Sequence, residues 1–233
     1  MLKTVQSYFN DFAHLFFPHN CLGCGFDALD QDQFLCIKCF SQLPETNFFL
    51  HPQNIIEKIF YGRINVEHAG SAFYFTKNSL LQNLLIELKY KNNKEIGFYL
   101  GKIVGSQIKE SNRFNEIDII IPLPLNGKKQ RKRSYNQSEI IANGIASVLE
   151  KPIVNNAIIR TIFTETQTHK TRISRWQTME GVFKVMKPEL LKEKNILLVD
   201  DIITTGATLE ACGTAILQIS STKLSIATVA YTI

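Results

Sequence analysis

Asn195-Ile196-Leu197-Leu198-Val199-Asp200-Asp201-Ile202-Ile203-Thr204-Thr205-Gly206-Ala207-Thr208 is the stretch whose reading decides the fold. An apolar run, Ile196 to Val199, stops at two adjacent carboxylates. A loop of small residues follows, and Leu209, Cys212, Ile216 and Ile219 then recur at helical spacing. Strand, loop and helix in that order put the loop at the carboxyl end of a strand. Open α/β sheets bind ligands there, and the free N–H groups at the helix start suit a phosphate. Thr204, Thr205 and Thr208 add hydroxyl donors, and Gly206 lets the backbone turn tightly ahead of Ala207. Asp200 and Asp201 would repel a phosphate, so they are expected to face hydroxyls or a metal ion. A ribose 5-phosphate, with a phosphate at one end and a diol nearby, satisfies both halves. The stretch has neither the Lys of a Walker A loop nor the three-glycine spacing of a dinucleotide fingerprint. The plainer alternative is a buried strand that happens to end in acidic and Thr-rich residues.

The stretch resembles the phosphoribosyl pyrophosphate (PRPP) motif of type I phosphoribosyltransferases, in which two acids hold the ribose hydroxyls and the Thr-rich loop holds the 5-phosphate. That resemblance implies a catalytic role for Asp200 and Asp201, and substrate binding by Thr204, Thr205, Gly206, Ala207 and Thr208.

The chain has 233 residues, 45% of them hydrophobic, enough for one core domain and an appendage. No apolar stretch approaches the roughly 18 residues of a membrane span. The N-terminus, interrupted by Asp11 and other polar residues, does not read as a secretory signal, so a cytoplasmic location is expected. The net charge of +5 comes from one segment, Lys128, Lys129, Arg131, Lys132 and Arg133; without it, basic and acidic residues balance at 21 each. Such a segment faces polyanions or water.

Leu2, Val5, Phe9, Phe12 and Phe16 predict a short amphipathic helix over 1–17. Cys21, Cys24, Cys36 and Cys39 follow as two CxxC pairs. Two such turns can bring four thiolates into the tetrahedral site zinc prefers, and a closed four-sulfur site is structural. Two disulfides, or a redox CxxC, are the alternatives, both weaker in a chain without export features.

Residues 41–65 read as a linker with a short helix. A strand is expected at Ala72–Phe75, then a helix capped by Ser79 with Leu80, Leu81, Leu84, Leu85 and Leu88 buried, and a second helix from Glu95 to Lys109. Ile117–Ile121 reads as a buried parallel strand ending at Pro122 and Pro124. Ser134 is the expected N-cap of a helix bearing Ile141, Ile145, Val148 and Leu149. Strands near Ile153–Ile159 and at Leu224–Tyr231 complete an α/β pattern with a mostly parallel sheet flanked by helices.

With the cysteine pairs and the PRPP-like loop on one chain, the sequence resembles the ComF family of competence-associated, phosphoribosyltransferase-like proteins. The likeness extends to Leu88-Lys89-Tyr90, Pro122-Leu123-Pro124-Leu125, Arg133 with Asn136-Gln137, and Arg160 followed by Thr166-Gln167, Arg172, Arg175, Gly181 and Phe183. Three positions depart from it: Ser134 stands where the family usually has Gly, Asn92 where a Gly often follows the Lys-Tyr turn, and Thr178 where Asn is common. The resemblance implies an N-terminal helix and zinc-binding module over 1–60, a type I phosphoribosyltransferase-like domain over 66–233, and a link to DNA uptake and natural transformation. In a phosphoribosyltransferase site, cations must balance the leaving pyrophosphate. Lys132 and Arg133 are the candidates after the earlier strand, with Arg172 and Arg175 on a polar stretch that can close as a lid. Magnesium would accompany PRPP. Two readings follow: a phosphoribosyltransferase with an unspecified acceptor, or a non-catalytic nucleotide-sensing or single-stranded-DNA-handling protein that keeps the pocket and works with other competence proteins.

Overall fold

The computed structural model describes residues 20–27, 29, 33–125, 134–161 and 182–233. The helix expected at 1–17, the basic run at 128–133 and all but the start of the polar stretch at 160–180 lie outside the described residues. The chain divides into two compact units, Met1–Pro44 and Glu45–Ile233. No helix among the described residues is long and apolar enough to cross a membrane.

The first unit is built on two cysteine-bearing turns, the second opening helix α1 (Ile37–Phe40). Backbone bonds from Cys21 N–H to Phe26 O at 2.8 Å and from Leu22 N–H to Phe34 O at 3.0 Å close the first turn and tie the two together. Leu29, Phe34, Leu35 and Leu43 are buried.

In chain order the second unit runs α2 (Ile55–Phe60), β1 (His68–Phe75), α3 (Leu80–Tyr90), α4 (Lys94–Ser111), β2 (Ile119–Pro122), α5 (Gln137–Leu149), β3 (Ile158–Arg160), β4 (Phe183–Val185), β5 (Asn195–Ile203), α6 (Ala207–Leu217) and β6 (Lys223–Thr232). Strands β1, β6, β5 and β2 form one sheet in that order, all neighbours parallel. Ile196 and Leu198 pack into a cluster with Ile56, Phe60, Leu209, Cys212 and Ile216 of α2 and α6. The alternate residues Leu197 and Val199 are equally buried, as a parallel strand covered on both faces requires. Helices α4 and α5 form the other cover, packing on each other and on the sheet. They meet backbone to backbone: a Cβ on Gly101 would lie 2.2 Å from Ile141 O, and one on Gly144 2.2 Å from Phe98 O.

Residues 45–60, expected with the cysteine module, belong to the second unit because its polar groups hold them there. Asn54 caps α2 by accepting from the N–H groups of Ile56 and Glu57, while its amide donates to Ala69 O on β1 at 2.8 Å. Glu57, buried, receives Arg113 Nη2 at 2.6 Å, and the same guanidinium donates to His51 O. Burial and the neighbouring Arg113 charge lower the pKa of His68, the third member of this cluster.

Three expectations are corrected. Strand β5 does not stop at Val199; it continues through both acids to Ile203, because β6 keeps pairing with it at Asp200↔Thr228, Ile202↔Ala230 and Ile203↔Tyr231. Ser134 is not the cap of α5. Asn136 is, its side chain accepting from Ser138 N–H, whereas Ser134 sits in the left-handed region at φ 64. The strand expected near Ile153–Ile159 divides into a single parallel bridge, Ile153 to Ile120 beside β2, and β3, which pairs antiparallel with β4 outside the main sheet. By contrast, Ser79 caps α3 as expected, accepting from Gln82 N–H.

Candidate functional site

The acidic pair lies near the carboxyl end of β5. Its carboxylates are oriented by their own strand and by neighbours from two other places in the chain. Asp200 Oδ1 accepts from Ser138 Oγ on the first turn of α5 and from Asp201 N–H, both at 2.8 Å. Asp201 Oδ1 accepts from Ile202 N–H at 2.7 Å, and its Oδ2 lies 2.6 Å from Lys89 Nζ on the last turn of α3. Burial, with the adjacent Asp201 charge, pushes the Asp200 carboxyl up to about 7; the Asp201 N–H, Ser138 and Lys89 oppose that rise. The two acids therefore differ: Asp201 is held by a cation, and Asp200 is poised near neutrality.

Beyond Ile203 the loop begins with Thr204 and Thr205, both exposed, and turns at buried Gly206 with φ 74. A side chain at Gly206 would meet Ile59 Cγ2 at 2.7 Å as well as strain the backbone. Gly206 is the N-cap of α6 and offers no side chain to its first N–H groups, and Ala207 N–H makes only a long bond, 3.5 Å, to Thr205 Oγ1, so the helix start suits an anion. Arg63 braces the loop from outside, donating through Nη1 to Thr205 O at 3.0 Å and pairing through Nη2 with Glu210 in the first turn of α6.

The turn before α5 joins three of the sequence motifs. Tyr135 Oη donates to Leu88 O, linking it to the Leu88-Lys89-Tyr90 segment, and Asn136 Nδ2 donates to Leu123 O at 3.0 Å in the Pro122–Leu125 segment. Of the expected site residues, Asp200, Asp201, Thr204, Thr205, Gly206, Ala207 and Thr208 are contiguous here. Lys132, Arg133, Arg172 and Arg175 lie outside the described residues. Sequence reasoning did not assign Lys89, Ser138 or Arg63 to the site. Lys89 and Ser138 carried a signal, the first inside the Leu-Lys-Tyr motif and the second directly after Asn-Gln; Arg63 carried none. Cys212, expected to be a core residue, is fully buried behind the site, and burial first, then the Asp200 charge, pushes its thiol up.

In the first unit the sulfurs of Cys21, Cys24, Cys36 and Cys39 all lie within 4.8 Å of one another, and Cys24 Sγ is 3.7 Å from Cys36 Sγ. A tetrahedron with metal–sulfur bonds of about 2.3 Å has edges of about 3.8 Å, so this spacing could hold a metal ion. Burial opposes charge on Cys21, but the N–H groups of Cys36, Cys24 and Gly23 aimed at its sulfur outweigh it and lower the thiol to about 6. Cys39 is pushed up to about 12 by burial and by hydrogen bonding to its three neighbours.

A parallel sheet with an acid pair and a Thr-Gly loop at the carboxyl end of one strand defines a phosphoribosyltransferase-type domain, and the phosphoribosyl transferase domain family matches residues 136–232. Competence protein F of Haemophilus influenzae is 31% identical over 134 residues, 55% of this chain and 58% of that protein. Competence protein ComFC of Bacillus subtilis is 24% identical over 149 residues, 62% of this chain and 56% of that protein. The DNA utilization protein YhgH of Escherichia coli K12 is 25% identical over 131 residues, 55% of this chain and 57% of that protein. The chain is thus similar, over its phosphoribosyl transferase-type part, to competence and DNA utilization proteins, and it spans little more than half the length of the curated relatives it matches. Among solved structures, a B. subtilis glutamine phosphoribosylpyrophosphate amidotransferase in complex with ADP and GMP superposes with a TM-score of 0.44 and 17% identity, over 61% of this chain and 30% of that one.

Proposed function

We propose that the second unit binds PRPP, with the 5-phosphate on residues 204–208 and the ribose diol on Asp200 and Asp201. It would act in the cytoplasm as a phosphoribosyltransferase-like protein linked to DNA uptake. One observation carries this reading: the carboxylate pair and the uncapped start of α6 flank a single tight turn at Gly206, so acceptors for a diol and donors for a phosphate stand side by side. The relatives' names, competence protein and DNA utilization protein, support the link to DNA.

In transfer, a nucleophile bonds to ribose C1 as the bond from C1 to pyrophosphate breaks, the electron pair leaving with pyrophosphate. Asp200 and Asp201 fix the diol and so aim C1, and positioning of this kind supplies much of the rate. Lys132, Arg133, Arg172 and Arg175 are the proposed counter-charges for pyrophosphate. Magnesium, when bound with PRPP, supplies further neutralisation of the leaving charge. The carboxylates fit that arrangement, since both are already committed to N–H, hydroxyl or ammonium donors and are oriented to accept hydroxyls. In the first unit, the four converging sulfurs fit a structural zinc ion.

The test is titration calorimetry of PRPP with magnesium. Asp201→Asn, which replaces a charged acceptor with an amide, is expected to weaken binding about tenfold or more; equal affinity for wild type and variant sinks the reading. The relatives' names also favour a second reading, a non-catalytic single-stranded-DNA-handling role in which Lys128 and Lys129 meet the phosphate backbone. The same preparation, titrated with single-stranded DNA at two salt concentrations, separates the two. Binding that falls steeply with salt and is lost in Lys128→Ala/Lys129→Ala, while PRPP affinity is spared, supports the DNA role; absence of DNA binding even at low salt removes it.

A further inference from the structure

We propose that Lys89 is a positioning residue: from the last turn of α3 its ammonium holds Asp201 as a charged, oriented acceptor and thereby sets the pH range in which the site takes a ribose diol. The inference rests on the PRPP reading of the same site. It also draws on a part of the chain that the phosphoribosyl transferase domain match, beginning at residue 136, leaves out.

The geometry separates this contact from an ordinary surface ion pair. Nζ and Oδ2 are 2.6 Å apart, and the two side chains are only 16% and 15% exposed, so water screens their attraction little. The lysine is also held in place. Its neighbour Leu88 gives its carbonyl to Tyr135, and the same turn anchors Asn136 to Leu123 and opens α5, whose Ser138 holds Asp200. Lys89 therefore moves with the frame that orients both acids. Asp201 receives one donor on each oxygen, Ile202 N–H on Oδ1 and Lys89 on Oδ2, and each oxygen keeps a further lone pair for a ligand hydroxyl.

Two adjacent carboxylates in a shielded site compete for one proton. Among the described residues, the groups facing the pair are Lys89 from α3, Ser138 from α5, Thr228 from β6 and Cys212 from α6, with Arg160 of β3 beside Cys212. Thr228 Oγ1 is buried and has no hydrogen-bond partner among the described residues, so it does not offset the acid charge. Among the described residues, Lys89 is the cation in direct contact. Without it, one of the groups that oppose the rise of the Asp200 carboxyl is gone, Asp200 keeps its proton to higher pH, and a protonated carboxyl offers the diol fewer acceptor sites. Loss of Lys89 therefore moves the acid limb of binding upward in pH.

The experiment measures affinity for PRPP with magnesium from about pH 6 to 9 for wild type, Lys89→Met, Lys89→Arg and Ser138→Ala, with thermal melting of each unliganded protein. PRPP's own titration is common to all four and cancels in the comparison. Lys89→Met is expected to bind about tenfold more weakly near neutral pH, with the deficit closing as pH rises. Lys89→Arg, which keeps the charge, should recover most of the loss, and Ser138→Ala should move the limb in the same direction by less. A Lys89→Met profile superimposable on wild type overturns the proposal, as does a deficit equal at every pH, which would mark Lys89 as a direct phosphate contact. If Lys89→Met does not melt cooperatively, the Ser138→Ala and Lys89→Arg profiles decide, and an unshifted Ser138→Ala limb counts against it. Failure of wild type itself to bind PRPP would instead remove the reading beneath the proposal.

Discussion

Asp200 carries a consequence for stability that its neighbour does not share. Its carboxyl, ordinarily near 3.8, is raised in the fold to about 7 by burial and by Asp201. The folded protein therefore binds a proton the unfolded chain releases, and this contribution is full below the unfolded pKa and lost as pH rises through the folded one. Between about pH 4 and 7 wild type should lose stability relative to Asp200→Asn, which cannot ionise, by on the order of 1 kcal/mol or more; paired melting curves at pH 5 and 8 check it. Two other residues show how much a single position can reveal. Asn92 and Ser134, two positions that depart from the Gly the resemblance implies, both have positive φ, 58 and 64. Gly is favoured where φ is positive, so at both positions a side chain sits on a backbone conformation that L residues seldom adopt. Lys89 and Ser138 were not legible in the same way, because a carboxylate's partner 62 residues away along the chain, as Ser138 is from Asp200, is chosen by packing rather than by local pattern.

Helices α4 and α5 show the same division between local and tertiary signals. Their apolar spacing located both helices in the sequence, α4 observed at Lys94–Ser111 and α5 at Gln137–Leu149. The closeness of their crossing is a tertiary feature, set by Gly101 and Gly144, each of which lies against the other helix's backbone. Gly101→Ala should therefore destabilise, despite the better helix propensity of Ala, by about 1–3 kcal/mol. Because α5 carries Ser138, the variant should also weaken PRPP binding; denaturant melts and calorimetry on one preparation test both. Strand β5 was read short for a related reason. Acidic residues disfavour a strand locally, but a ladder with β6 that continues to Ile203↔Tyr231 overrides that preference.

For the whole molecule, the alternation of strands and helices and the two CxxC pairs fixed the class of architecture, whereas the division at Pro44/Glu45 depended on a buried Asn54 and a Glu57–Arg113 pair that no sequence pattern announces. Metal analysis of freshly purified protein is expected to return about one zinc per chain, held by Cys21, Cys24, Cys36 and Cys39; zinc-free protein with all four in disulfides would contradict it. The order β1-β6-β5-β2 places Lys223–Thr232 between β5, which directly precedes it in the strand sequence, and β1, made long before either. A ribosome adding about 5–20 residues per second extrudes β1 on the order of ten seconds or more before β6. Throughout that interval β1 lacks the strand that joins it to the rest of the sheet. The nascent protein waits with that strand unpaired, and its yield in the cell should depend on the chaperones that meet it at the tunnel exit.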